Sequence, residues 1–170
     1  MPRSSIVIAT AVALMSVAAG SALAEVPQRT TATYGDWTLR CEMHDKTKLC
    51  EMAQSMQIKG QTRPITQIAI GRQTKGGALQ LIFEVPINVW LPDGVKLTTD
   101  DKKLDIAAKF SRCVPIGCFA QTEISEAQIK ALRALKKTGK LTFKDAGKQQ
   151  IAIPVSFKGL GDAYDAMPKP

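Results

Sequence analysis

Four cysteines are the residues of this 170-residue chain best placed to do chemistry: Cys41, Cys50, Cys113 and Cys118. A reduced pair could exchange disulfides, and all four as thiolates could hold zinc. The stretch RCVPIGCFA, Arg112 to Ala120, sets Cys113 and Cys118 on either side of Val114-Pro115-Ile116-Gly117. A redox dithiol usually has the spacing C-x-x-C beside a helix start, which lowers one thiol pKa. Here the spacing is C-x4-C, and no helix signal follows at once. A zinc site would need reduced thiols and, usually, shorter knuckles.

The compartment decides between these chemistries. Arg3, the apolar run Ile6 to Ala19 and the small-x-small site Ala22-Leu23-Ala24 together read as a secretory signal peptide over residues 1–24. The apolar run is shorter than the ~20 residues that a bilayer span needs. An even number of cysteines in an exported chain reads as disulfides, and four cysteines allow three pairings. Hairpin symmetry favours Cys41–Cys50 about Asp45-Lys46 and Cys113–Cys118 about Pro115-Ile116. Opposed residues in an antiparallel pair sit ~4.5–5.5 Å apart at Cα, within a disulfide's reach. Each short loop so closed contributes roughly 2–3 kcal/mol of stability.

Other reagents are scarce. His44 is the single histidine and sits in the expected hairpin turn, so a Ser-His-Asp triad could be built only there. Asp100 and Asp101 read as a solvated turn. Gly159-Leu160-Gly161 lacks the strand–turn–helix setting and the third glycine of a phosphate loop. The expectation is a protein with no catalytic residues, no metal and no cofactor.

The elements that position these residues are mostly short strands. Runs such as YGDWTLRCEM, LCEMAQSMQI, ITQIAIGR, ALQLIFEV, KLDIAAKF, FAQTEI, KLTF and QQIAIPVSF alternate with turn signals such as LPDGV and KDAGK. That spacing predicts an antiparallel sandwich or barrel. Trp37 reads as a core anchor and Trp90 as a residue beside a loop. One helix is predicted from the capping box Ser125-Glu126-Ala127-Gln128, with Ile124, Gln128, Ala131, Leu132 and Leu135 inward and Gly139 as its stop. GLGDAYDAM reads as a last helical turn. Residues 25–33 read as a flexible leader, and 34–170 as a single domain.

Cleavage after Ala24 leaves 146 residues with 22 basic and 15 acidic side chains, a net charge of +7. That excess suits anionic surfaces. Export makes nucleic acid an unsuitable partner. The expected partner is a protein or an anionic envelope component, with peripheral association at the outer membrane. Lys130, Arg133 and Lys137 on the helix, together with Trp90, are the candidate contact residues.

YGDWTLRCE, LPDGVKL, RCVPIGCFA and IAIPVSFKGLGDAYDAM occur here in the order seen in one family. Over roughly Tyr34 to Met167 the chain resembles the invasion-associated locus B proteins. The resemblance implies an exported alphaproteobacterial protein with an immunoglobulin-like β-sandwich fold, linked in pathogenic members to invasion of host cells, erythrocytes included. Relatives also occur in free-living and plant-associated bacteria. The family offers no catalytic residue to carry over, and the four cysteines match as structural positions. The leading expectation is a mainly β, non-catalytic binding protein located in the periplasm or at the outer membrane. Two alternatives stand beside it: a thiol-disulfide enzyme using Cys113 and Cys118, and a structural protein of envelope stability.

Overall fold

The structure, a computed structural model, describes residues 27–57, 65–99, 104–135 and 138–168. The stretch read as a signal peptide, the pair Asp100-Asp101 and Lys137 lie outside the described residues. The strands are β1 (Arg29–Tyr34), β2 (Trp37–His44), β3 (Thr47–Met56), β4 (Thr66–Gly71), β5 (Gln80–Val85), β6 (Val95–Thr99), β7 (Asp105–Val114), β8 (Gly117–Glu123), β9 (Gly139–Lys144) and β10 (Gln150–Val155). A 3-10 turn, Leu91–Asp93, precedes β6. Two helices follow later, α1 (Glu126–Ala134) and α2 (Leu160–Ala166).

The strands hydrogen-bond in the order β1-β2-β3-β4-β5-β8-β7-β6-β9-β10, antiparallel throughout. Strand β7 belongs to both layers of the sandwich. Its first half pairs with β6, and its second half pairs with β8. A register shift between Phe110 and Arg112 marks a bulge at Ser111, and bulges bend strands and increase their twist. The bent sheet buries one continuous core. Met52, Ile68, Ile70, Leu81 and Phe83 come from one layer, and Leu97, Leu141 and Val155 from the other. The alternation in β5, with Leu81, Phe83 and Val85 buried between half-exposed neighbours, follows directly from the period of two.

The two ends of this sheet meet without a ladder. Trp37, fully buried, donates its indole N–H to the Ser156 carbonyl at 2.9 Å. Gln54, buried on β3, donates to the same carbonyl at 3.0 Å and accepts from the Ser156 amide at 2.9 Å. The Ser156 hydroxyl donates to Asp36 Oδ2 at 2.6 Å, and the Asp36 amide donates to the Lys158 carbonyl at 3.0 Å. Backbones touch here as well: a Cβ on Gly159 would lie 1.9 Å from the Tyr34 carbonyl oxygen, and one on Gly35 would lie 2.7 Å from the Lys158 oxygen.

Three local expectations need correction. Arg29 to Thr33, read as part of a loose leader, belong to the edge strand β1 (Arg29–Tyr34), in which only Thr30 and Tyr34 are half-buried and three β-branched threonines favour the extended backbone. Helix α1 has the predicted capping box, with Ser125 Oγ accepting from the Gln128 amide at 3.2 Å and Gln128 Oε1 accepting from the Ser125 amide at 2.9 Å. Its buried stripe, however, is Ile129 and Leu132; Gln128 is spent on the cap and Ala131 is exposed. Gly139 does not stop the helix. Leu135 turns extended first, and Gly139 opens β9. The last helical turn is a seven-residue helix, α2, so the described residues hold a second helix beside the one expected in the fold.

Candidate functional site

All four cysteines are oxidised. Cys41 faces Cys50 across β2 and β3, and Cys113 faces Cys118 across β7 and β8, each pair with Cα atoms 4.0 Å apart. Neither pair leaves a thiol for nucleophilic or metal chemistry. His44 is exposed at the end of β2, 3.8 Å from Glu42, which also pairs with Arg29 at 3.1 Å. Among the described residues no group of three His, Cys, Asp or Glu side chains is arranged to hold a metal ion.

The candidate contact residues are not gathered in one place. Lys130 is exposed on α1. Arg133 is committed within the molecule: it forms an ion pair with Asp165 of α2, and its guanidinium lies over the Tyr164 ring at 5.1 Å. Helix α1 follows β8 at the Gln80 end of β5, where the Ile124 amide donates to the Leu79 carbonyl. Trp90 lies beyond the other end of that strand. Six strand residues span about 20 Å.

Around Trp90 three loops converge. The Trp90 amide donates to the Lys144 carbonyl at 2.8 Å, and the Ala146 amide donates to the Asn88 carbonyl at 2.9 Å. Val89 bridges Asp145. The half-buried indole ring carries the Lys148 ammonium over its face, 4.3 Å from the centroid. Asp93 forms an ion pair with Lys144 at 2.6 Å. That Lys144 hydrogen bond, with Lys144's charge and a bond from Trp90, holds the Asp93 carboxyl below the usual aspartate range.

This end also concentrates exposed apolar surface. Ile87 is 54% exposed, Leu91 48%, Val114 36% and Ile116 72%; the only other large apolar side chain so exposed among the described residues is Ile151 on β10. Val85 pairs with Cys118, and the same register continued two residues places Ile87 abreast of Ile116. The 3-10 turn that carries Leu91 packs against β7. The Cys113–Cys118 bond clamps the strand ends that present Val114, Pro115 and Ile116. Sequence reading singled out Trp90 but missed Ile116. The available signal was an isoleucine at a turn tip, where polar residues are the rule.

Comparison with known proteins places this architecture. A sequence profile described as invasion associated locus B (IalB) protein matches residues 37–168. An invasion protein B homolog of Brucella abortus (strain 2308) is 32% identical over 133 residues, covering 78% of this chain and 76% of the relative. Invasion protein B of Bartonella bacilliformis is 28% identical over 140 residues, covering 81% and 72%. The crystal structure of invasion associated protein b from Bartonella henselae superposes with a TM-score of 0.69 at 26% identity, covering 80% of this chain and 92% of that one. The matched span runs from Trp37, which donates to Ser156, past the end of α2, so it takes in both disulfides and the Trp37 and Gln54 contacts with Ser156: this chain belongs to the invasion associated locus B family.

Proposed function

We propose that this protein is an exported binding protein of the bacterial envelope that turns over no substrate and engages a protein partner through its apolar end. The observation that carries the reading is the exposure of Ile87, Leu91, Val114 and Ile116 on the loops at the end of the sheet where Trp90 lies. Contiguous exposed apolar surface is costly to maintain and marks interaction sites. Its rim is of mixed sign, with Asp93, Lys144 and Lys148 close to the anchors. A dry apolar centre with a polar rim of both charges is the anatomy of a protein–protein contact. The oxidised cysteines support a non-catalytic role, since a thiol-disulfide enzyme must cycle through free thiols. The names of the relatives extend the proposal to host-cell contact. The place proposed is the periplasm or the outer-membrane surface, after cleavage near Ala24.

A photo-crosslinking residue at position 116, expressed in living cells, tests this. The expected result is one discrete protein adduct that the double variant I87S/L91S abolishes while its melting temperature stays unchanged. A crosslinker at Lys130 should give no such adduct. If the adduct survives in the double variant, or forms equally from position 130, the apolar end is not the contact. Fractionation of the same cells reports the compartment separately.

A further inference from the structure

A second surface, at the opposite end of β5, is built for an anion. Arg72 follows Gly71 at the end of β4, and its Nε–H is buried without a hydrogen-bond partner. Arg40 also has a buried, unpaired Nε, but its Nη2 pairs with Glu51; Arg29 and Arg133 have carboxylate partners, and Arg112 lies over the Phe119 ring. Among the described residues Arg72 has neither an ion pair nor an aromatic face. A buried donor left unpaired forfeits its full desolvation cost, so native proteins seldom leave one without a water or an ion.

The surroundings favour the ion. A groove of about 230 Å³ beside Arg72 is also lined by Lys46, Lys48 and Lys75, with Thr47 and Thr74 supplying hydroxyls, and no acidic side chain lines it. Four like charges in one groove repel each other, and an anion there would relieve that repulsion by pairing the ammonium groups and the exposed part of the Arg72 guanidinium. The Cys41–Cys50 bond fixes the backbone of the hairpin that carries Lys46 and Lys48, which keeps both lysines at the groove. Leu49 and Met167 form apolar wall, which limits water and strengthens the charge interaction. A guanidinium fork among ammonium groups matches a phosphate's several oxygens better than a single carboxylate. On the far side of Arg72 a wider groove of about 620 Å³ continues past Leu49 and Cys50; Glu42 and Glu51 line it beside Arg40, so any further part of a ligand lying there must be uncharged or cationic. It has room for the rest of a larger molecule.

We propose that the Arg72 groove binds the phosphate of a phosphate-bearing ligand, either a free phosphate compound or a phosphate monoester exposed on a membrane. This site is independent of the apolar end, and its success or failure leaves the crosslinking result untouched.

The test titrates the oxidised, folded protein with inorganic pyrophosphate, followed by amide chemical shifts. Saturable shifts confined to residues 46–50 and 71–76 are expected. R72Q should weaken binding by about tenfold or more, the scale of losing a charge-assisted hydrogen bond. If R72Q does not fold, K46Q/K48Q/K75Q decides the same point. The control K96Q/K109Q/K130Q removes as much charge elsewhere and should bind normally. Absence of saturable binding in the native protein, or equal loss in the control, overturns the proposal. Vesicles of phosphatidylcholine with and without phosphatidic acid separate the two sources. Binding that requires both phosphatidic acid and Arg72 identifies a membrane headgroup, and binding of pyrophosphate alone identifies a soluble ligand.

Discussion

At Ser156 a side-chain amide replaces a strand partner. Gln54 donates to the Ser156 carbonyl and accepts from its amide, the two bonds a neighbouring strand would have made, and Trp37 adds a second donor to the same carbonyl. Leaving such groups buried and unpaired would cost on the order of 1–3 kcal/mol each. The glycines beside them remove side-chain volume where two backbones cross. Gly159 has φ +85° and no space for a Cβ, whereas Gly76, at φ +72°, has nothing within 4 Å. G159A therefore carries both conformational strain and a clash, and G76A carries the strain alone. The expected losses are roughly 3 kcal/mol or more for G159A and about 1 kcal/mol for G76A, measured by urea denaturation. Equal losses would mean that the crossing at residues 35 and 159 is looser than described. Both glycines of this crossing were visible in the sequence as parts of GDW and PVSFKGLG. Their meeting was not, because no local rule links residues so far apart in the chain.

Among the elements, the hairpins were the most legible. Symmetry about Asp45-Lys46 and Pro115-Ile116 put each cysteine opposite its partner, and a period-two pattern marked β5. Edge strand β1 was hidden because RTTATY is polar on both faces, and polar runs read as loops. Helix α1 was legible at its start, where Ser125 and Gln128 are neighbours in sequence. It was misread along its length, because only packing shows which apolar residues turn inward. The two disulfides close loops of similar size, with sequence separations of 9 and 5, so chain entropy predicts similar losses of about 2–3 kcal/mol for C41S/C50S and C113S/C118S. Their surroundings differ, since Cys41, Cys50 and Cys118 are buried and Cys113 is exposed. Melting temperatures should fall by roughly 5–12 °C in both double variants. A much smaller fall for either pair would mean that the hairpin is already rigid without its bond.

For the molecule as a whole, the decisive contacts are the longest in sequence. Trp37 and Asp36 reach Ser156 across separations of 119 and 120 residues. Phe157, Leu160 and Met167 then complete the core from the C-terminal segment. Burying three such side chains stabilises the fold by about 5–9 kcal/mol, comparable with the whole net stability of a typical domain. A chain ending at Val155 should therefore lack the cooperative unfolding transition of the full protein, as circular dichroism would show. A retained sharp transition would mean that the last segment is an accessory. Fold class and family membership were readable from strand spacing and motif order. The two candidate surfaces were not, because each is assembled from loops that are distant in sequence. The late position of Ser156 has a bearing on timing. A polypeptide synthesised from its N-terminus presents Trp37 early and the serine that secures it nearly last. The contact that joins the two ends of the sheet is thus withheld until almost the entire chain has been made.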